Sequence, residues 1–275
     1  MTSPSTPQIP IKKSIEAMKV YQDYAPKFGE ILKELYLYLK AGTIKDIETY
    51  FVTCCVNKLN DYICGFPFNN QKNYLGESFG HPICISVNNT IAHGRPENYI
   101  PKLGDVISVD CGVSIPYGTR QLHLDAAFTV SYNKTEPWVN APLYALKKII
   151  AQQPSDTMEI AKIIRQTAKD NNLNQVVSLT GHGIGYKLHE APAIHNAPGN
   201  FLSVELFEGL CFCAEPIFVH PGKDKKSSFI CPTYIGTDGW KIITANDLPS
   251  SHFETTFGII NGQIVDLIGV TNWLL

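Results

Sequence analysis

No apolar run in the 275-residue chain approaches the roughly 20 residues that span a bilayer, and its N-terminal stretch has no apolar core of the secretory kind. A soluble, cytoplasmic protein is expected. An excess of either charge is also missing. With 23 Lys and Arg against 25 Asp and Glu, no global field draws the chain to nucleic acid or to an anionic membrane. The cysteines Cys54, Cys55, Cys64, Cys84, Cys111, Cys211, Cys213 and Cys231 form no C-x-x-C pair of the zinc type, and most sit inside apolar stretches. They read as reduced thiols filling a core. The opening MTSPSTPQIP lacks both periodicity and arginine, so residues 1–12 are expected to form a flexible arm rather than a targeting peptide.

What is present is enough apolar residue, 44% of the chain, to bury a sizeable core, and 13–275 reads as one domain. Apolar spacing predicts a helix from Ser14 to about Leu39, with Pro26 as a kink or break, then a second helix opened by a capping box at Thr43 and Asp46. That helix would bury Ile47, Phe51, Cys55 and Leu59. Strands are expected over Ile83–Val87, Val106–Val113 and Leu122–Ser131. The pattern repeats, with helices over Leu143–Ile150 and Met158–Ala168, then strands over Val176–Leu179, Leu210–Val219, Trp240–Thr244 and Phe253–Ile260. Two similar halves of helices followed by strands predict an α+β fold, an antiparallel sheet backed by helices, with one site between the halves.

Asp110 and Asp125 flank Pro116-Tyr117-Gly118-Thr119, where glycine suits a tight turn. A hairpin folded at Tyr117-Gly118 would set the two carboxylates directly opposite one another. Like charges so placed weaken a sheet, and carboxylates in apolar stretches such as VISVDCGV and LHLDAAFTV are costly unless paired. Either a cation relieves both penalties or each Asp pairs with a basic side chain, Arg120 being the nearest; this hairpin alone leaves the two equal. Further donors tip the balance. His182 sits among glycines in TGHGIG, His189 follows in LHEAP, and Glu215 (CFCAEPIFV) and Glu254 (HFETTFGII) are acids inside apolar runs. Four carboxylates and an imidazole suit Mn, Fe, Co or Zn, and bridging carboxylates favour two ions over one.

The ordered set SVNNTIAHG, GDVISVDCGV, TGHGIG with HEAP, AEP and HFETT resembles the methionine aminopeptidases of the pita-bread metallopeptidase family, over about Ile15 to Val265. The short His182–Glu215 spacing is similar to the type I enzymes. The resemblance implies that Asp110 chelates one ion, that Asp125 and Glu254 bridge two, and that His182 and Glu215 complete the other. It implies Glu215 as proton carrier, His93 near the scissile amide and His189 as oxyanion donor, with two divalent ions (Co, Mn, Fe or Zn) as cofactor. The methionine pocket would hold Phe79, Cys84 and Trp240, although Phe79 and Cys84 read equally well as ordinary core. Departures from the pattern are Leu188 before His189, Asn89 in place of glutamate, an insertion over Gln71–Ser78, a longer Asp110–Asp125 loop and a surface stretch at His220–Lys226. The implied activity is removal of the initiator methionine from nascent polypeptide N-termini, met at the ribosome, by a monomer without nucleic-acid or membrane partners. An X-Pro dipeptidase, another aminopeptidase of the same fold, or a non-catalytic peptide- or ribosome-binding module are the alternatives.

Overall fold

Helix α1 (Ile15–Ala41) forms because one stripe, from Ala17 through Tyr21, Ala25, Phe28, Leu32 and Leu35 to Leu39, is apolar and wholly buried. The break expected at Pro26 does not occur. Pro26 and Gln22, whose carbonyl loses its helical donor, both lie on the solvent face, where water can take the freed acceptor. Helix α2 (Ile47–Leu59) buries Ile47, Phe51, Cys55 and Leu59 as the spacing predicts. The computed structural model describes residues 9–41, 46–59, 65–96, 99–222 and 229–273. Thr43 of the expected capping box, Cys64, the first eight residues of the expected arm and 223–226 of the expected surface loop lie outside them.

The strands of the first half are β1 (Ile83–Val87), β2 (Thr90–Ala92), β3 (Val106–Tyr117) and β4 (Arg120–Ser131). β1, β3 and β4 make an antiparallel sheet in that order. Its central hairpin turns at Gly118-Thr119, one residue later than expected, with positive φ at Gly118, the first central residue, as in a type II′ turn. Tyr117 therefore pairs with Arg120, and Asp110 lies opposite Ala127 while Asp125 lies opposite Gly112. The two aspartates are diagonal neighbours rather than direct partners. Arg120, at the turn, lies over the Tyr186 ring at 5.0 Å and not beside either aspartate.

The second half opens with α3 (Ala141–Gln152) and α4 (Thr157–Asp170), the latter capped by Asp156, whose side chain accepts from the Glu159 amide. Its strands are β5 (Asn174–Gln175), β6 (Thr180–Gly183), β7 (Glu190–His195), β8 (Cys211–Ala214), β9 (Ile217–Val219), β10 (Thr233–Ile235), β11 (Ile242–Thr244), β12 (Ser250–His252), β13 (Thr255–Ile260) and β14 (Gln263–Asp266). The main sheet runs β14-β13-β8-β6-β7, and two smaller ones run β10-β11-β2 and β12-β9-β5. Val176–Leu179 is not a strand. The ladder instead uses Asn174–Gln175 and the glycine-bearing Thr180–Gly183, because pairing with β9, β7 and β8 outweighs the local apolar preference. The long run Leu210–Val219 is split at Glu215-Pro216, Pro216 having no amide for a ladder.

The halves are stitched along one line. Residues 252–256 run antiparallel to β4, with Glu254 and Ala127 exchanging both backbone hydrogen bonds. At either side a threonine hydroxyl replaces a backbone partner. Thr256 Oγ1 accepts from the Asp125 amide (3.0 Å) and donates to its carbonyl (2.8 Å), and Thr129 Oγ1 does the same for His252 (2.9 and 2.6 Å). Near the N-terminus, Lys13 is buried completely, its ammonium 2.7 Å from Glu190 and 2.8 Å from the Ile11 carbonyl.

Candidate metal centre

All ten residues singled out in the sequence (Phe79, Cys84, His93, Asp110, Asp125, His182, His189, Glu215, Trp240 and Glu254) line one cavity of about 470 Å³. Five elements deliver the charged ones. Asp110 comes from β3 and Asp125 from β4; the shift of two residues in register leaves both on one face, because side chains alternate with period two. His182 lies on β6, beside Cys213 of β8, and Glu215 follows β8 at the Pro216 interruption. Glu254 is held against Ala127 between β12 and β13. β6 can pack this closely because a Cβ on Gly181 would collide with the Cys213 carbonyl oxygen.

Donor atoms of Asp110, Asp125 and Glu254 all lie within 4.8 Å of one another, as do those of His182, Cys213 and Glu254. His182 Nε2 is 3.8 Å from Asp125 Oδ2 and 3.9 Å from Glu254 Oε1. Its Nδ1 is 2.9 Å from the Gly183 carbonyl, which can only accept, so Nδ1 carries the proton and Nε2 presents its lone pair to the carboxylates. Among the described residues no Lys or Arg pairs with any of the four acids. Asp110 Oδ1, Asp125 Oδ1 and Glu254 Oε1 are buried with no hydrogen-bond partner.

Burial therefore dominates the electrostatics. It pushes the Asp110 carboxyl up to about 7. Asp125, Glu215 and Glu254 are driven well above the carboxylate range, first by burial and then by one another's charge and that of Asp110. Burial, helped by His189, brings His182 down to about 3, so its ring is neutral at physiological pH. His93 and His189 are lowered for the same reason. Cys213, buried beside Glu254 and Asp125, is held as a thiol in contact with Thr256 Oγ1 at 3.5 Å. Orphaned oxygens, converging carboxylates and a neutral imidazole with its lone pair directed inward are what a hard to borderline divalent cation requires.

The apolar end of the cavity is an aromatic corner. Phe79 and Trp240 meet edge to face at 5.0 Å, His93 approaches Trp240 at 6.4 Å, and the Arg95 guanidinium lies over both aromatic rings at 5.7–5.9 Å. Cys84, paired with Asp110 across β1 and β3, and the buried Leu188 complete it. The insertion closes on itself through the Lys72–Ser78 bridge; Gln71 and Lys72 reach the cavity wall while Tyr74 and Leu75 point to solvent. Asn89 donates to Asp247 (3.0 Å) instead of facing the site. One residue of the centre went unnoticed in the sequence. His252 lines the cavity, 3.7 Å from Glu254 and 4.0 Å from Glu215. Its position two residues before Glu254 was the available signal, since alternation puts both on one face.

The comparisons with known proteins agree with this geometry. A methionine aminopeptidase of Clostridium perfringens is 32% identical over 69% of this chain and 76% of its own length, and one of Borreliella burgdorferi is 32% identical over 82% and 89%. The crystal structure of a methionine aminopeptidase from Thermotoga maritima superposes with a TM-score of 0.78 at 24% identity, covering 94% of this chain and 99% of that one, so the expected pita-bread architecture is shared. The model of Metallopeptidase family M24 matches residues 30–259, and with its donors, cavity and fold in register, the chain belongs to metallopeptidase family M24.

Proposed function

We propose that the chain is a methionyl aminopeptidase that removes the initiator methionine from nascent polypeptides. The observation that carries this reading is the convergence of Asp110, Asp125, His182, Glu215 and Glu254, with three unpartnered carboxylate oxygens, in one cavity with the aromatic corner of Phe79 and Trp240. These residues would hold two divalent ions of the Mn, Fe, Co or Zn class. Bound there, the ions would polarise the scissile carbonyl and bring a water molecule's pKa towards neutrality.

The chain's own groups supply the rest. Glu215, which lines the cavity beside the other acids, would take a proton from the attacking water and return it to the leaving amine. His189, stacked edge-on to His182 at 4.5 Å and neutral, donates to the oxygen on which negative charge develops. His93 steadies the scissile amide from the Trp240 side. The edges of Phe79 and Trp240 suit a thioether, which packs favourably against aromatic rims. The partners in this reading are nascent N-termini at the ribosome, and the enzyme is a cytoplasmic monomer. No helix among the described residues is long and apolar enough to cross a membrane.

Mass spectrometry of Met-Ala-Ser and Ala-Pro-Ser peptides, incubated with Co or Mn and with a chelator control, tests the assignment. Metal-dependent loss of Met is expected. Cleavage of Ala-Pro-Ser alone would move the substrate class to X-Pro peptides, and cleavage of neither under any metal would favour a binding module.

A further inference from the structure

Nothing at its own ring fixes the aim of His189. Among the described residues neither of its ring nitrogens takes part in a hydrogen bond, and its ring contact is the edge of His182 at 4.5 Å. The backbone must therefore do the aiming. His189 belongs to the stretch Ile184–His189 that joins β6 to β7 outside any strand, and such a stretch places a side chain only as well as it is itself held.

A carboxylate does the holding. Glu190, next in the chain and first in β7, turns Oε1 back to accept from the Lys187 amide at 3.0 Å. Its side chain thus closes a clasp around Leu188 and His189, both of which line the cavity. The other oxygen, Oε2, is gripped by the Lys13 ammonium at 2.7 Å. Lys13 is fixed in turn, its amide donating to the Gly209 carbonyl and its ammonium to the Ile11 carbonyl, each at 2.8 Å. Gly185, near the other end of the stretch, makes room for it, since a Cβ there would collide with Lys13 Cε. The Gly185 carbonyl accepts from the His123 amide at 2.9 Å, so that end is pinned as well.

Stability gives little reason for such a pair, because apolar side chains of similar volume often serve a core as well as a buried ion pair does. What the carboxylate adds is two directed acceptors, one for Lys13 and one for Lys187. We propose that Glu190, held by Lys13, is a positioning residue of the reaction: its clasp on the Lys187 amide fixes Leu188 and His189 and so sets where His189 presents its ring to the bound peptide. This rests on the role given to His189 above. The segment around Lys13 then serves the reaction although it lies outside the cavity wall. A shift of about 1 Å in such a group is enough to cost roughly 100-fold in rate.

The test compares two double variants of the full chain, Lys13→Met with Glu190→Leu and Lys13→Met with Glu190→Gln, on Met-Ala-Ser with Co(II) added. Both remove the two charges together, and only glutamine keeps an oxygen for the Lys187 amide. With folding checked by circular dichroism and Co(II) uptake by calorimetry, the leucine pair should lose roughly 10- to 100-fold in kcat with a smaller change in KM. The glutamine pair should recover most of that loss. His189→Ala should lower kcat in wild type yet add little in the leucine pair, a coupling that a purely structural role would not produce. A folded leucine pair with wild-type kcat, or losses that simply multiply, overturns the proposal. If the leucine pair does not fold, the answer comes from a protein with every side chain intact. The α-hydroxy analogue of lysine, placed at Lys187 by nonsense suppression, turns its amide into an ester and removes only the donor of the clasp. The same fall in kcat is expected, and an unchanged kcat overturns the proposal. His189→Ala with wild-type turnover would instead remove the role of His189, and a wild type that cleaves no Met would remove the aminopeptidase reading itself.

Discussion

Replacing Glu190 by alanine isolates one buried charge and gives a stability change that can be worked from the structure. Lys13 and Glu190 have side-chain exposures of 0% and 2%, and their charged atoms are 2.7 Å apart. Without Glu190, the ammonium keeps only the Ile11 carbonyl at 2.8 Å and the Tyr186 ring at 5.6 Å. Gly185 closes over its Cε, leaving no room for water beside the stem. An uncompensated buried charge costs about 3–5 kcal/mol. The Lys187 amide, which donates to Glu190 Oε1 at 3.0 Å, loses its acceptor and adds about 1 kcal/mol. For a chain of this size the sum lowers the melting temperature by roughly 10 °C. Lys13→Met should cost a similar amount, because it strands the carboxylate instead. Lys13→Met combined with Glu190→Leu should recover most of the loss, since an apolar pair of similar volume often equals or exceeds a buried ion pair. Thermal and urea unfolding of wild type, Lys13→Met, Glu190→Leu and the double mutant complete the cycle, with Glu190→Ala measured beside them. Singles within about 1 kcal/mol of wild type, or a double mutant that merely sums them, would refute the reasoning.

Other perturbations reach the centre itself. In the metal-free protein Asp110 keeps its proton up to about 7, whereas in the unfolded chain it releases it near 3.9. At this group the folded state therefore binds the extra proton, so its contribution to stability should fall as pH rises through that window. Asp125, Glu215 and Glu254, also raised, act in the same direction and extend the fall above it, while the lowered His182, His93 and His189 act in the opposite one below about 6.5. Melting of chelated protein between about pH 5 and pH 7.5 checks this, and a slope unchanged by saturating Mn(II) would count against the site. Asp110→Ala or Glu254→Ala should abolish metal uptake and peptide turnover together, measured by calorimetry and mass spectrometry; an active metal-free variant would end the proposed mechanism. Thr256→Val removes both hydrogen bonds to the Asp125 backbone, and should cost about 1–3 kcal/mol in urea unfolding while weakening metal binding roughly 10-fold in calorimetry. Trp240→Ala should raise KM for Met-Ala-Ser more than it lowers kcat, which steady-state kinetics would resolve.

The sequence revealed the centre more readily than the ladders around it. The hairpin shows why. Both Tyr117-Gly118 and Gly118-Thr119 satisfy the need for glycine at a positive φ, as second central residue in one case and first in the other, and nothing local chooses between them. The resulting error was two residues, an even slip, so Asp110 and Asp125 still shared a face and the inference of a cation survived. A slip of one would have destroyed it. Val176–Leu179 misled because strand preference measures fit to a half-buried surface, while the true strands there, Asn174–Gln175 and Thr180–Gly183, are chosen by partners far along the chain. His252 was hidden for another reason. A lone histidine beside a phenylalanine on a strand ordinarily belongs to the core, and only the distances to Glu215 and Glu254 set this one apart.

The stitch between β4 and residues 252–256 has a kinetic consequence. Asp110 and Asp125 meet within one hairpin, but Glu254 joins them only after nearly the whole second half has folded and closed a very long loop. Such contacts form late, because chain entropy must be spent before they return any energy. A partly folded chain would therefore present two carboxylates but no enclosing cage, and would hold a divalent ion weakly. Uptake of metal would follow folding rather than guide it, so the protein could be made under metal scarcity and filled afterwards from whichever cation its surroundings then supply.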